Sequence, residues 1–211
     1  MGKIMNSDDM KIDKRHLRTI RTREKLLVAA REVFLENDFQ TTTISQIIKR
    51  AGVGYGTAYV HFEGKDELLI VLIETVMDQF HQVAEQPFEP RTAEEAREQI
   101  EQQATAFLQL AEQERELLRI VEQAIGVSYA IRTKWKQIRE RFIERISRDI
   151  RYAQATGLAR SDLNPTLVAR GWFFANEMYL FEVIREETTA TIDEIAKTLT
   201  AVYTTGLYPH D

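Results

Sequence analysis

Between Thr43 and Lys65 the chain gathers hydrogen-bonding side chains around three glycines: Thr43, Ser45, Tyr55, Thr57, Tyr59, His61 and Lys65 flank Gly52, Gly54 and Gly56. Hydroxyls, phenols, an imidazole and an ammonium supply donors and acceptors for recognition, and no nucleophile paired with its base can be read from the pattern. The Gly-x-Gly-x-Gly spacing superficially resembles a phosphate-cradling loop. Such a loop must follow a strand, whereas these glycines follow a segment with helical signals, which disfavours nucleotide chemistry. The four histidines, His16, His61, His81 and His210, lack metal-ligand spacing. There is no cysteine, so disulfides, thiolate metal sites and cysteine nucleophiles are excluded together. Neither a metal nor a cofactor is expected.

Short helices must position these side chains. From Thr22, Leu26, Leu27, Ala30, Val33 and Phe34 recur at helical spacing and stop at Asn37-Asp38, which predicts a first helix. Residues 1–17, polar and without period, are expected to form a flexible arm. Thr43 and Gln46 make a capping box ahead of Ile44, Ile47 and Ile48, and Ala51-Gly52-Val53 closes that helix in a tight turn. A second short helix, Tyr55 to Phe62, places Ala58 and Phe62 four apart on its inner side. Tyr55, Thr57, Tyr59 and His61 are left facing outward. Two short helices about a glycine turn form the pattern of a helix-turn-helix.

The net charge of −5 argues against a nucleic-acid partner until its distribution is examined. Residues 1–65 hold 12 Lys/Arg against 8 Asp/Glu, a net of +4, which leaves −9 on the remainder. Lys11 to Lys25 is denser still, with 7 basic residues against Asp13 and Glu24. A basic front end on an acidic body attracts phosphate at one face only. With 44% hydrophobic residues, 9 Gly and 4 Pro in 211 residues, the chain suits a folded all-α protein poor in turns. No stretch approaches a membrane span, and residues 1–16 lack the apolar core of a secretory signal, so a cytoplasmic protein is expected.

The stretch TISQIIKRAGVGYGTAYVHFEGKDELL, Thr43 to Leu69, resembles the DNA-binding motif of the TetR family of one-component regulators. The likeness is carried by Thr43, Ile47, Ala51-Gly52-Val53, Gly56-Thr57, Tyr59, Phe62, Lys65 and Leu68, and with the first helix it covers residues 20–70 or so. The resemblance implies a ligand-responsive transcriptional regulator, a repressor released from its operator by a small-molecule effector. It implies further that Tyr55, Gly56 and Tyr59 lie against base edges, and Thr43, Thr57, His61 and Lys65 near phosphates. Ser45, one turn into the preceding helix, is placed to touch a base, and Arg15, Arg18 and Arg21 to lie along phosphate or the minor groove. Gly54, Ile48 and the Val60-His61 pair depart from the family's usual residues, so operator sequence does not transfer. A helical scaffold or adaptor without DNA binding, or a small all-α enzyme, are the competing readings.

The body continues the helical pattern. Leu68, Leu69, Leu72, Ile73, Val76 and Phe80 form a stripe from Lys65 towards Gln86, Thr92 and Glu95 suggest another capping box, and Leu117, Leu118 and Val121 mark a segment ending at Gly126. Ile131 to Ala153 predicts the longest helix, stopped at Gly157. Asn164-Pro165 opens an aromatic-rich helix to Ile184, and Thr191 with Glu194 caps the last, to Gly206. The expectation is about nine helices: an arm and three-helix DNA-binding domain over residues 1–64, and a helical ligand-sensing and dimerisation domain over residues 65–211. Family resemblance places a homodimer interface on residues 164–184 and 192–207, with Gly171 allowing close helix approach. Phe107, Trp135, Phe142, Trp172, Phe173, Met178 and Tyr179 are the candidates to line a pocket for an apolar or aromatic effector. Glu177 and Arg170 do not identify the effector, since interface charges are an equal reading of both.

Overall fold

A computed structural model describes the backbone of residues 7–208 and the side chains of residues 16–208. Those residues form nine α-helices and no strand, and divide into two units after Leu72. The first unit holds α1 (Ser7–Glu36), α2 (Ile44–Ala51), α3 (Tyr55–His61) and the start of α4 (Lys65–Ala84). The division falls inside α4, eight residues beyond the break expected at residue 64.

The core of the first unit is built from Leu26, Ala30 and Phe34 of α1, Ile47 and Ile48 of α2, Ala58 of α3, and Phe62, Leu68 and Leu69. Phe34 stacks on Phe39, with ring centroids 6.0 Å apart. Arg50 donates to Glu36 at 2.6 and 2.8 Å and to Glu32 at 3.2 Å, tying α2 to α1. That bond also holds the Glu36 carboxyl below its ordinary value.

The expected arm over residues 1–17 is corrected from Ser7 onward, where α1 already runs. The chain has no glycine between Gly2 and Gly52 and no proline before Pro87, so nothing stops a helix nucleated at the Leu26–Phe34 core from extending outward. Adding a residue to an existing helix requires no apolar face. For the same reason α1, at 30 residues, exceeds the 27 of α7, which the periodicity made the longest. Of the basic residues proposed on this arm, the Arg15 side chain lies outside the described residues, as does His210.

The second unit continues with α5 (Ala93–Gln113), α6 (Arg115–Val127), α7 (Tyr129–Ala155), α8 (Pro165–Arg185) and α9 (Ile192–Leu207). Helix α8 packs on α5, α6 and α7, and α9 packs on α5. The helix ends follow their local chemistry. Thr191 and Glu194 complete a capping box, the Asn164 carboxamide accepts from the amides of Thr166 and Leu167, and Gly157 stops α7 at φ 77°. There the Leu158 amide reaches back to Ala153 at 2.8 Å, as a left-handed helix stop requires. Only half of the box expected at Thr92 forms: Thr92 accepts from the Glu95 amide, but the Glu95 carboxylate accepts from the amide of Arg91.

Glu177 lies within the packed helices of this unit. Buried on α8, it accepts from the Trp135 indole at 2.9 Å and from Arg139 at 2.7 Å. A carboxylate taken out of water persists only when paired and hydrogen-bonded in this way. Arg170 pairs with Glu140 at 2.6 Å on the surface.

Candidate nucleic-acid interface and apolar cavity

Helix α2 starts where Thr43 caps it. Its hydroxyl accepts from the Gln46 amide at 3.3 Å, and the Gln46 side chain accepts from the Thr43 amide at 2.7 Å. It ends at Gly52, left-handed at φ 63° and ψ 35°, a conformation in which a side chain is strained. The turn delivers Gly54 as the first residue before α3. On α3, Ala58 and Phe62 are 2% and 3% exposed, while Tyr55, Tyr59 and Val60 are 54%, 50% and 82% exposed. Gly56 and Thr57 are exposed as well, and His61 is half-buried at the edge of this face. Tyr55 and Tyr59, four residues apart, stand together with Val60 beside them.

Val60 lies on the exposed side as well, beyond the outward set of Tyr55, Thr57, Tyr59 and His61 marked from the sequence. On an exposed helix face it offers the apolar contact that a thymine methyl takes. Ser45 is exposed on the first turn of α2, and the Thr43 hydroxyl donates to the Gln46 carboxamide at 3.0 Å. Serving a phosphate therefore requires Thr43 to turn that donor away from Gln46.

Beside α3 a groove is lined by Leu17, Arg18, Arg21, Thr22 and Lys25 of α1, by the turn Gly52–Gly54 and by Thr57. All three basic side chains are exposed. Sequence reasoning had marked Arg18 and Arg21; Lys25, four residues after Arg21, shares their face and was legible from that spacing.

The Lys65 side chain, expected near phosphate, is engaged within the chain. Its ammonium donates to the carbonyls of Phe39, Gln40 and Thr42 at 2.6, 3.3 and 2.7 Å, and lies 4.5 Å from the centre of the Phe39 ring. An ammonium has three donors, and three carbonyls take them. Lys65 ties the loop between α1 and α2 to the start of α4.

In the second unit, helices α4, α5, α7, α8 and α9 surround a cavity of about 90 Å³. Phe107, Phe142, Trp172 and Phe173 line it. Trp135, Met178 and Tyr179 do not. Trp135 is buried against Glu177 and Phe181, Met178 is exposed on the outer face of α8, and Tyr179 is half-buried elsewhere on that helix. The polar part of the wall is Gln103, Asp149, Asn176, Tyr203 and Tyr208. Burial pushes the Asp149 carboxyl up, opposed by a hydrogen bond from Arg145, and burial also raises both phenols. Tyr203 stacks on Trp172 at 4.4 Å.

Against Phe142 on the other side lies the His81 ring, stacked at 4.4 Å. Burial, aided by Arg141 and opposed by Asp78 and Glu85, holds its imidazole below the ordinary value. The unfolded chain therefore takes up the proton first. Stability is complete above the ordinary histidine value, about 6.5, and falls as the pH drops through the lower folded value. Thermal denaturation from about pH 8 to about pH 5 is expected to show a falling Tm, with a shallower fall in His81→Phe. Equal slopes in the two proteins would contradict this.

Among the described residues no cluster of three or more His, Asp or Glu side chains could hold a metal, and no helix is long and apolar enough to cross a membrane. A capped helix, a glycine turn and a second helix with an exposed polar face define a helix-turn-helix DNA-binding protein. Residues 26–72 match the family described as bacterial regulatory proteins, tetR family, and residues 98–209, just over half of the chain, match the C-terminal domain of the transcriptional regulator EthR. The chain belongs to the TetR family of transcriptional regulators. It is 36% identical over 87 residues to the fatty acid metabolism regulator protein of Bacillus subtilis (strain 168), a match covering 41% of this chain and 39% of that protein. The chain thus spans about two fifths of the length of that curated relative. Among solved structures, a TetR-family regulator from Syntrophomonas wolfei superimposes with a TM-score of 0.71 at 23% identity, covering 87% of this chain and 93% of that one. The SmeT–triclosan complex does so with a TM-score of 0.69 at 22% identity, covering 89% and 92%. The relatives and the fold are those of regulators rather than enzymes.

Proposed function

We propose that the protein is a homodimeric repressor that leaves its operator when an apolar or aromatic small molecule occupies the cavity of the second unit. The observation that carries this reading is the exposed face of Tyr55, Gly56, Tyr59 and Val60, backed by buried Ala58 and Phe62 and flanked by the basic groove of Arg18, Arg21 and Lys25. Side chains of this kind read base edges in the major groove, while the basic groove fixes register on phosphate. On this reading Thr43, Thr57, His61 and the main-chain amides at Lys65 are the further phosphate contacts, and residues 1–64 supply the DNA-binding function while residues 65–211 sense and dimerise.

Dimerisation through α8 and α9 is supported by an apolar stripe. Leu167, Gly171, Phe174 and Met178 are all exposed on α8 at spacings of four, three and four, and Val202 is exposed on α9. A helix needs such a seam to pair with a copy of itself. Space around Gly171 is open, which suits close approach. The neighbour of this fold solved with triclosan supports a small-molecule effector.

Helix α4 runs from the first unit into the second without a break in the chain. Effector binding released through a tilt of this helix changes the spacing of two heads that must enter grooves about 34 Å apart. An effector that favours the released state about 100-fold supplies about 2.7 kcal/mol of coupling, and operator DNA weakens effector binding by the same factor. The test is a thermal-shift screen of small aromatic molecules, with each hit added to the operator complex in a sedimentation experiment. DNA release with the dimer intact is expected; a monomer would overturn release by tilt, and cavity binders that never release DNA would overturn ligand response.

Tyr55→Ala is expected to reduce discrimination between operator variants by about 1–3 kcal/mol at one base pair, with binding to random DNA unchanged. Titration against single-base operator variants reads this, and an unaltered preference profile removes Tyr55 from the base-reading set.

A further inference from the structure

The cavity wall is mostly aromatic and aliphatic, and behind its surface a buried polar atom of one lining residue lacks a partner. Asn176 on α8 is 7% exposed and lines the cavity. Its amide nitrogen donates to the Trp172 carbonyl at 2.9 Å. A main-chain carbonyl can only accept, so the side-chain atom facing it is the N–H end, which assigns nitrogen and oxygen. The remaining oxygen, Oδ1, is buried and accepts no hydrogen bond from any described residue, so a donor reaches it only with movement of the wall. A buried acceptor left in this state costs free energy that a donor on a bound molecule recovers.

The charge on the wall narrows the class further. Asp149 lines the cavity, while no lysine, arginine or histidine does. Arg145, which pairs with Asp149, is held at the same time by Glu85 and by the Gln86 carbonyl. A carboxylate entering this space meets Asp149 with no cation on the wall to offset the loss of its hydration.

We infer that the effector is an uncharged, largely apolar molecule, one aromatic ring in its simplest form, that carries a hydroxyl or N–H donor to Asn176 Oδ1, and that carboxylate-bearing ligands are rejected. This rests on the reading of the cavity as the effector site. A volume of about 90 Å³ is smaller than the ~150 Å³ of a cavity that takes benzene, so a ring enters with movement of the wall. Trp172 and Tyr203, stacked on one another, are both half-buried.

The inference is tested by calorimetric titration of the full chain at neutral pH with para-cresol, para-xylene and para-toluate, which share one body and differ in one substituent. Para-cresol is expected to bind about tenfold tighter than para-xylene, and para-toluate more weakly than either. In Asn176→Leu the cresol preference is expected to shrink to within about threefold while para-xylene still binds, which also reports that the variant is folded. Xylene or toluate binding as tightly as cresol to the unaltered protein, or a cresol preference that survives Asn176→Leu, overturns the inference and leaves the cavity as a ligand site. Binding of none of the three to the unaltered protein overturns the effector-site reading and the inference together.

Discussion

Replacing Arg18, Arg21 and Lys25 together by alanine is expected to weaken binding to operator and random DNA alike, by about two orders of magnitude at moderate salt. The three side chains are exposed on one side of α1, along the groove that also includes Gly52–Gly54 and Thr57. Phosphate contacts carry no sequence information, so their loss lowers both affinities in parallel. Each lost contact removes about 0.9 from the slope of log affinity against log salt, close to three units per protomer. Arg50 provides the internal control. It is held by Glu32 and Glu36, so Arg50→Ala leaves the slope near its original value. A triple variant whose loss is confined to the operator, or whose salt slope is unchanged, would contradict the assignment of this groove to phosphate.

Lys65→Met is expected to destabilise the first unit by about 3 kcal/mol while leaving the salt slope of DNA binding unchanged. The ammonium serves three carbonyls of one loop, two of these bonds being partly buried, and lies over the Phe39 ring. Hydrogen bonds from a charged donor contribute about 1.5–3 kcal/mol each in favourable settings. The total is held below their sum by partial solvent exposure and by the entropy of ordering a long side chain. Both tryptophans, Trp135 and Trp172, lie in the second unit, so fluorescence does not report on the first. Amide hydrogen exchange across residues 26–69 does. Unchanged protection together with a salt slope lower by about one unit would return Lys65 to the phosphate role that its family position suggests.

Local chemistry was the most legible part of the fold. Thr43 with Gln46, Thr191 with Glu194, Asn164 before Pro165, and Gly157 each mark a helix end by a hydrogen bond or a left-handed residue within a few positions. The first eleven residues of α1 were hidden because propagation of a helix leaves no apolar period to read. Within the interface, burial of Ala58 and Phe62 followed from their spacing, and the outward tyrosines with it. The direction of the Lys65 side chain did not, since it depends on where the loop carbonyls at residues 39–42 come to lie. In the cavity the same difference holds. Helical period separates inner from outer residues, but several inner surfaces exist. Trp135 faces Glu177 and Phe142 faces the cavity, and no spacing rule distinguishes them. Met178 was misplaced by its neighbours in an aromatic-rich run, and only its exposure puts it on the stripe with Leu167 and Phe174.

The central claim is that the exposed face of α3 and the groove beside it recognise a specific DNA sequence. Fluorescence anisotropy of the labelled DNA upstream of the protein's own gene, titrated with the full chain at physiological salt and compared with a shuffled duplex of equal length and composition, tests it most directly. The account predicts saturable binding to the upstream DNA at least about 10³-fold tighter than to the shuffled duplex. Equal affinity for the two duplexes, or no binding to either, would contradict it.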